Sequence, residues 1–291
     1  FTDPLVECKS CNKRFRADQI EDFKKCADCG GELTEPKKFN GMFRTFLGAS
    51  EDTGSVAYLR PETAQAIFVN FKNILDSMHP KLPFGIAQIG KAFRNEITAG
   101  NFIFRDLEFE QHELEYFITP EIWEEKYAYW LEKMHKFADL VGLDKNKLVE
   151  REHAPEERSH YSKKTVDIEY EFPFGKKELW GLAYRTDFDL KNHSEKSGVS
   201  LKYEGVYPHV VEPSMGVERT FLAVLCSSYF EDEKRVVLKL PAILAPYKVA
   251  VLPLVRNKPE LVDKARGLFD KLRAALPAVA WDDRGNIGKR Y

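Results

Sequence analysis

The sequence has no long hydrophobic run, no large excess of charge of either sign and no repetitive segment. None of its apolar stretches approaches the roughly 20 residues that a helix needs to cross a bilayer, and the first residues show neither the basic nor the apolar part of a signal peptide. The 44 basic and 46 acidic side chains give a formal charge of −2, which excludes nucleic-acid binding through bulk positive charge but leaves a local basic patch open. We therefore predict a soluble, cytoplasmic protein with no membrane partner.

Cysteine is also scarce, with five residues in a chain of 291, too few for a disulfide scaffold. Four of them form two CxxC pairs separated by 14 residues, and two glycines follow the second pair: Cys8 and Cys11, then Cys26 and Cys29. This spacing is typical of a tetrahedral four-cysteine zinc site, in which every ligand position is taken and the metal is structural. A pair of disulfides and a redox CxxC are the alternatives, and the cytosolic context and the duplicated motif weigh against both.

What the chain does contain is ample material for a core, since 43% of its residues are apolar and 13% are aromatic. Three regions differ in composition: a cysteine-containing module over 1–40, a large central region over 41–243 and a C-terminal region over 244–291. In the central region, strand patterns and helix patterns do not alternate regularly; the strands are expected over 84–96, 104–117, 165–172 and 178–185, and the helices over 62–75, 120–141 and 216–230. We predict an α+β fold with a largely antiparallel sheet flanked by helices.

The C-terminal region follows a linker that we expect between Pro241 and Pro246. An apolar run over 248–254 predicts a buried strand, an amphipathic pattern over 261–276 predicts a helix, and residues 279–283 predict a second strand. This order is typical of the start of a separate α/β domain, and we expect that domain to be truncated in the sequence.

Residues 90–117 combine strand patterns with an unusual number of polar side chains. We expect two strands joined by a short turn, with Arg94 and Glu96 on one face of the first and Phe109, Gln111 and Glu113 on one face of the second, because alternate residues point the same way. An arginine there can fork onto a phosphate, an aromatic face can stack on a purine, and carboxylates can hold an ammonium group or a metal ion. These residues suit a site for a nucleotide and an amine; a solvated hairpin with cross-strand ion pairs is the alternative.

Several longer motifs resemble those of one enzyme family. FRNE at 93–96 and FRDLEFEQ at 104–111 are similar to motif 2 of the class II aminoacyl-tRNA synthetases, and EPSMGVER at 212–219 is similar to their motif 3. Four further stretches resemble the glycyl-tRNA synthetases of the homodimeric type: RPETAQ at 60–65, GIAQIG at 85–90, FEQHE at 109–113 and RTDFDL at 185–190. The resemblance extends through most of the chain.

The resemblance implies a class II catalytic core with a zinc-ribbon-like insert, followed from residue 244 by the beginning of an anticodon-binding domain. It also implies a homodimeric ligase that joins glycine to ATP as glycyl-adenylate and transfers it to the 3′-terminal ribose of tRNA(Gly), with Mg²⁺ screening the phosphates. DNA is not an expected partner. Because glycine is the smallest amino acid, a pocket that closes on its Cα excludes every larger one without an editing domain.

Individual site residues follow from the motif positions. By the resemblance, Arg94 at the α-phosphate and Arg219 at the distal end of ATP are the catalytic residues. The ATP-binding set is Arg94, Asn95, Glu96, Phe104, Arg105, Phe109, Glu178, Leu179, Gly216 and Arg219. The glycine-binding set is Glu62, Phe109, Glu110, Gln111, Glu113, Glu212, Ser214 and Gly216. Glu62 and Arg219 also lie at predicted helix starts, so a capping carboxylate and a surface arginine are the alternatives for these two.

The sequence departs from the family in three respects. Motif 1 would precede Phe1, so we expect truncation at both ends; residues 191–205 form a short connection, and the bulky Trp180 lies close to Glu178. Two other functions stay open. One is a class II synthetase for another amino acid, such as threonine, proline, serine or histidine, against which RPETAQ and FEQ argue. The other is a catalytically silent paralogue that binds RNA, against which the intact charged motif residues argue.

Overall fold

The N-terminal module is a small antiparallel sheet built around the cysteines. The computed structural model describes residues 2–17, 20, 24–276 and 278–290. Three short strands lie in the order β2-β1-β3: β1 (Thr2–Glu7), β2 (Arg14–Arg16) and β3 (Lys37–Asn40). Its small core contains Val6, Cys8, Ala17, Cys26 and Leu33. One cysteine of each CxxC pair is therefore part of this core.

The central region is dominated by a six-stranded antiparallel sheet. The region begins with a short hairpin of β4 (Arg44–Phe46) and β5 (Val56–Tyr58). The elements that follow are α1 (Ala64–Met78), β6 (Phe84–Phe93), β7 (Glu108–Ile118), α2 (Trp123–Leu140), β8 (Leu148–Glu152), β9 (Lys164–Phe172), β10 (Gly175–Thr186), α3 (Phe188–Ser197), β11 (His209–Gly216) and α4 (Val217–Ser228). The sheet order is β6-β7-β11-β10-β9-β8, and every pairing is antiparallel. The predicted α+β architecture is confirmed.

Two hydrophobic clusters cover the two faces of this sheet. On one face, α2 and α4 pack against Trp180, Leu182 and Tyr184, alternate residues of β10 that point the same way. On the other face, α1 and α3 pack against the end of β7, where Phe117 contacts Phe71 at a ring-centroid distance of 4.6 Å. The second cluster covers only part of its face, and the remaining part forms a polar cavity.

The connection between β6 and β7 differs from the expected short turn. The first strand ends at Phe93 and the second begins at Glu108, so Arg94 and Glu96 lie in a connection over 94–107 and not on a strand face. Within it the Arg94 N–H donates to the Leu107 carbonyl at 3.0 Å, and Gly100 bridges to Arg105. The polar composition of this segment therefore reflects an ordered loop and not a cross-strand ladder.

Several elements were not predicted from the sequence, among them β8, α3 and β11 of the central region. β11 is a central strand that contains Pro213, which lacks a backbone N–H and argues against a central strand. The structure accommodates it because β11 pairs with β7 at Val211 and at Ser214 but not at the two residues between them. A local gap in the ladder thus permits a proline in the middle of the sheet.

A short hairpin ends the central region, and the C-terminal region contains a β-α-β unit. The hairpin is β12 (Tyr229–Glu231) and β13 (Val236–Leu238); the unit is β14 (Val249–Val251), α5 (Pro259–Ala275) and β15 (Val279–Trp281). β14 and β15 pair in parallel, and Phe269 of α5 packs on Trp281 at 5.7 Å between ring centroids. In the part of the chain that the structure describes, no helix is long and apolar enough to cross a membrane.

Candidate active site

A cavity of about 300 Å³ opens on the polar part of the sheet. Its floor is formed by alternate residues of β7, β10 and β11, and its rim by the 94–107 connection and the start of α4. Gly181 and Ala183 of β10 leave space there, since a Cβ on Gly181 would meet nothing closer than an oxygen of Asp167 at 3.8 Å. The cavity is lined by most of the predicted site residues: Glu62, Arg94, Glu96, Phe104, Arg105, Phe109, Gln111, Glu113, Glu178, Leu179, Glu212, Ser214, Gly216 and Arg219.

Two predicted site residues lie outside the cavity lining. The Asn95 backbone N–H donates to the Gly41 carbonyl at 2.9 Å, which ties the connection to the segment after β3. Glu110 occupies the opposite strand face from Gln111, and its backbone N–H donates to both carboxylate oxygens of Glu218 at 3.0 Å. Both residues brace elements that carry cavity residues.

One end of the cavity is rich in carboxylates, and Glu113 is held there by several donors. Its oxygens accept hydrogen bonds from the Thr63 backbone N–H at 3.0 Å, from Gln111 Nε2 at 2.9 Å and from Ser214 Oγ at 3.1 Å, as well as from the Thr63 hydroxyl. Glu113 is only 3% exposed. These donors fix the orientation of the carboxylate.

Arg185 is the centre of this end of the site, and we did not assign it a role from the sequence. Its guanidinium donates to Asp189 through Nε at 2.8 Å and Nη2 at 2.9 Å, and to Glu212 through Nη1 at 2.8 Å. The ring of Tyr161 lies 3.9 Å from the guanidinium carbon. Arg185 belongs to the RTDFDL stretch, and Asp189 follows it four residues later. An arginine and an aspartate at this spacing indicate a possible ion pair, which is the signal in the sequence for this contact.

The carboxylate end carries an excess of buried acidic groups over cations. Arg185 is the buried cation there. The acidic residues are the partly buried Glu62 and four buried ones: Glu113, Glu115, Asp189 and Glu212. Burial raises the pKa of Glu212 to about 7, and the positive charge of Arg185 opposes that shift. Burial likewise raises the pKa of Glu115 well above its ordinary value. A site of this kind favours a small cationic group such as an ammonium.

The other end of the cavity presents arginines and aromatic rings. Arg94 Nε donates to the Pro61 carbonyl at 3.0 Å, and its guanidinium carbon lies 5.3 Å from the centre of the Phe109 ring. Arg219, in the first turn of α4, donates to the Phe104 carbonyl at 3.2 Å and lies 3.3 Å from a carboxylate oxygen of Glu178. These groups are placed to meet phosphates and a flat base.

Trp180 points away from this cavity. It is buried in the α2 and α4 side of the core, where its Nε1–H donates to Thr220 Oγ1 at 2.8 Å and its ring lies 5.6 Å from that of Phe137. A shift of register in the β9 pairing between Glu178 and Trp180 allows this arrangement. The bulky side chain therefore leaves the arginine end of the site open.

The four paired cysteines converge in the N-terminal module. Their sulfur atoms all lie within 4.8 Å of one another, with Cys8 and Cys29 at 3.4 Å and Cys11 and Cys26 at 3.8 Å. Sulfurs bound tetrahedrally at the ordinary Zn–S distance of about 2.3 Å lie about 3.8 Å apart. The backbone N–H of Cys11 lowers the pKa of Cys8 to about 6, which favours the thiolate. The donor set and its spacing fit one structural zinc ion.

Glycines make the second cysteine turn sterically feasible. Gly30 adopts φ +71°, and its N–H donates to the Cys26 carbonyl at 2.9 Å. A Cβ on Gly31 would lie 2.5 Å from Ser10 Oγ and 3.0 Å from Cys8 Sγ. Any larger residue at position 31 would displace the first cysteine pair.

Comparison with known proteins agrees with the fold and the site. The antiparallel sheet, and the cavity with its motif 2 and motif 3 residues, define a class II aminoacyl-tRNA synthetase core. A family profile described as tRNA synthetase class II core domain (G, H, P, S and T) matches residues 47–229.

Similar proteins of known name identify the branch of this family to which the chain is related. A glycine–tRNA ligase of Thermobifida fusca (strain YX) is 48% identical, and one of Streptomyces coelicolor is 49% identical; each match covers 100% of this chain and 70% of the relative. A glycine–tRNA ligase of Mesoplasma florum is 46% identical, over 100% of this chain and 72% of the relative. The chain belongs to the glycine–tRNA ligase family.

Proposed function

We propose that the chain activates glycine with ATP to form glycyl-adenylate and then transfers the glycyl group to the 3′-terminal ribose of tRNA(Gly). The observation that carries this proposal is the pairing of a carboxylate-rich end with an arginine-rich end in one cavity of a glycine–tRNA ligase family member. The first end suits an ammonium group and the second suits a triphosphate. A substrate that bridges the two has its reacting carboxylate between them.

Glycine lies in this proposal with its ammonium group among Glu62, Glu113 and Glu212. Ser214 and Gly216 close the pocket around the Cα and leave no space for a side chain, which gives specificity by exclusion. Arg185 does not touch glycine; it holds Glu212 in place through the 2.8 Å contact. Since glycine's carboxylate is already ionised at neutral pH, its attack on the α-phosphate needs alignment and charge neutralisation but no general base.

ATP occupies the arginine end. Arg94 stabilises the negative charge that develops at the α-phosphate, Phe109 stacks on adenine, and Arg219 meets the distal phosphates. Arg105 lies along the triphosphate, and Glu96, Glu178 and Leu179 lie around the nucleotide, with Asn95 and Glu110 bracing this part of the site. The half-exposed carboxylate of Glu178 offers an oxygen ligand for Mg²⁺. Mg²⁺ screens the phosphates and assists the departure of pyrophosphate.

A second groove, of about 710 Å³, suits the end of the tRNA. It lies between the N-terminal module and the catalytic cavity, and it shares Phe104, Arg105, Glu178 and Arg219 with that cavity. Arg16 of β2 and Lys177 of β10 add positive charge to its walls. The groove thus connects a cationic surface with the position where glycyl-adenylate forms, as an incoming phosphodiester chain requires.

The three regions have separate roles in this proposal. Residues 1–40 form a zinc-binding module held by Cys8, Cys11, Cys26 and Cys29, residues 41–243 form the catalytic core, and residues 244–291 begin an anticodon-binding domain. The protein works in the cytoplasm as a homodimer. The β-α-β unit with its parallel strands supports the third assignment, because it begins an α/β sheet distinct from the antiparallel one.

Exchange of labelled pyrophosphate into ATP, measured with Mg²⁺ and each of the twenty amino acids in turn, tests the proposed function. We expect exchange with glycine alone. Exchange with a different amino acid would identify another class II synthetase, and silence with all twenty from a folded protein would favour an RNA-binding paralogue.

Arg94→Ala tests the catalytic assignment in the same assay. Loss of a preorganised cation at the α-phosphate should lower glycine-dependent exchange by about 100-fold or more. Arg235→Ala is the matched control, because Arg235 is a surface arginine whose nearest carboxylate oxygen, on Asp232, lies 3.8 Å away. Equal activity of the two variants would contradict the role given to Arg94.

A further inference from the structure

Glu115 is a buried carboxyl group that the proposed chemistry does not use. It lies on the same face of β7 as Gln111 and Glu113, because the three are two residues apart. It is 0% exposed, and within the described residues neither of its carboxyl oxygens has a hydrogen-bond partner. An ionised carboxylate in such a place costs several kcal/mol, roughly, whereas a neutral acid costs far less.

The sheet register places a second carboxyl directly opposite. β11 pairs Val211 with Tyr116 and Ser214 with Glu113, and this register sets Glu212 across from Glu115. Opposed residues of neighbouring antiparallel strands have Cβ atoms about 4.5–5.5 Å apart. Glu212 is 6% exposed, so two buried acids lie opposite each other on neighbouring strands.

The charges around this pair do not compensate both acids. The guanidinium of Arg185 on β10 donates its hydrogen bonds to Glu212 and to Asp189 of α3. Glu113 on β7 and Glu62 before α1 add further negative charge, and the residue of β6 opposite Glu115 is Ile86. Arg185, the one buried cation among the described groups, therefore compensates the charge of Glu212. Glu115 has no such cation, so it is the group of the pair that stays protonated.

The titration of the pair agrees with this geometry. Burial raises the pKa of Glu115 well above its ordinary value, and the neighbouring Glu212 raises it further. Burial raises the pKa of Glu212 to about 7 against the opposing effect of Arg185. Both shifts favour a pair that still holds a proton near neutral pH.

We propose that Glu115 is a positioning residue that holds this proton in the glycine-free protein and releases it to solvent when the ammonium group of glycine enters beside Glu212. The proposal rests on the proposed function, since it places the ammonium among these carboxylates. One positive charge enters and one proton leaves, so the pair changes from one negative charge to two while the net charge of the site is unchanged. Glycine binding should then strengthen as the pH rises.

Calorimetric titration with glycine measures the released proton. The whole chain, with Mg²⁺ and a non-hydrolysable ATP analogue already bound, is titrated near pH 7 in buffers that differ in ionisation enthalpy. We expect the unmodified protein to release about one proton per glycine near pH 7, and its glycine affinity to rise about tenfold per pH unit where that release occurs, between pH 6 and pH 8. Glu115→Gln keeps the shape but cannot ionise, so it should release almost none and bind with nearly constant affinity across that range.

Glu108→Gln is the matched control, since it removes an exposed carboxyl from the same strand, where Glu108 pairs with Lys91. It should behave as the unmodified protein does. Equal proton release from Glu115→Gln and the unmodified protein would overturn the inference. If glycine produces no binding at all in the unmodified protein, the proposed function fails instead.

Difference infrared spectroscopy on the unmodified protein keeps the test independent of how well the variant folds. The carboxylic-acid C=O band of a buried neutral acid should disappear when glycine binds, and a carboxylate band should appear. A carboxylic-acid band that persists at saturating glycine would also overturn the inference.

Discussion

At the scale of single residues, Arg185 decides how the carboxylate end of the site is held. It is 1% exposed, and its bonds to Asp189 and Glu212 join β10, α3 and β11 at one point. A buried ion pair of this kind adds little net stability compared with apolar packing, but breaking it by removing one partner leaves uncompensated charge. The residue therefore matters most for keeping neighbouring acids in place.

Arg185→Leu should lower the free energy of unfolding by about 3–5 kcal/mol at pH 8, because two buried carboxylates lose their cation. The loss should be smaller at pH 5. Without the cation the pKa of Glu212, which burial already raises, rises further, and a raised acid pKa contributes stability that is present at low pH and lost as the pH rises. Urea unfolding at both pH values measures this.

Arg151→Leu provides the control for that experiment. Arg151 pairs with Glu157 at 2.5 Å on the surface, so its removal should cost less than about 1 kcal/mol at either pH. Similar losses for the two variants, or a loss for Arg185→Leu that grows at pH 5, would contradict the account of the buried network.

At the scale of elements, the ends of α2 and α3 show how similar glycines can have different importance. Gly142 after α2 and Gly198 at the end of α3 have φ values of +74° and +71°. A Cβ on Gly142 would lie 2.3 Å from Cγ of Pro241, whereas a Cβ on Gly198 would meet nothing within 4 Å. Only the first glycine is required by tertiary packing as well as by its backbone conformation.

Gly142→Ala should therefore destabilise the protein more than Gly198→Ala. The left-handed conformation alone costs about 1–2 kcal/mol in each variant, and the clash with Pro241 adds about 1–3 kcal/mol to the first. Thermal and urea unfolding of the two variants measure the difference. Equal losses would mean that the segment around Pro241 moves aside at little cost.

At the scale of the whole molecule, the N-terminal module that contains the cysteine cluster contacts the catalytic core. Thr98 Oγ1 in the β6–β7 connection donates to the Arg14 carbonyl at 3.2 Å, so the module contacts the loop that carries Arg94 and Arg105. A module of this size has a small core, which a metal held by the four cysteines would stabilise.

We expect one zinc ion per chain, measured by atomic emission. Cys26→Ala should lose the metal and aminoacylation should fall with it, while Cys226→Ser should keep both, because Cys226 packs beside the core far along the chain from the cluster. A chelator should reproduce the effect of Cys26→Ala. Full zinc content in Cys26→Ala would contradict the four-cysteine site.

The cationic groove predicts a separation between the two half-reactions. Lys177→Ala should raise the KM for tRNA about 5- to 10-fold, because it removes a charge-assisted phosphate contact worth about 1–1.5 kcal/mol. The same variant should leave pyrophosphate exchange nearly unchanged. Lys176→Ala, the adjacent exposed lysine that does not line the groove, is the control. Equal KM values for the two variants would place the tRNA elsewhere.

Patterns with short sequence spacing were sufficient for much of this protein. The two CxxC pairs predicted the sulfur cluster, the strand alternation predicted that Phe109, Gln111 and Glu113 share a face, and the motifs marked Arg94, Arg219, Glu62 and Glu212 as members of one site. The first two features depend on residues a few positions apart, where strand periodicity and turn geometry operate, whereas the motif residues were grouped by family resemblance.

Long-range register was decided only by the tertiary structure. Three features depend on how β7, β10 and β11 align. Arg185 contacts Glu212, Glu115 lies opposite Glu212 on the neighbouring strand, and residues 94–107 form a loop. The sequence by itself determined which chemical groups were available and which family they belong to. The fold decided which of these groups are buried together, because side-chain packing over the whole sheet selects one register.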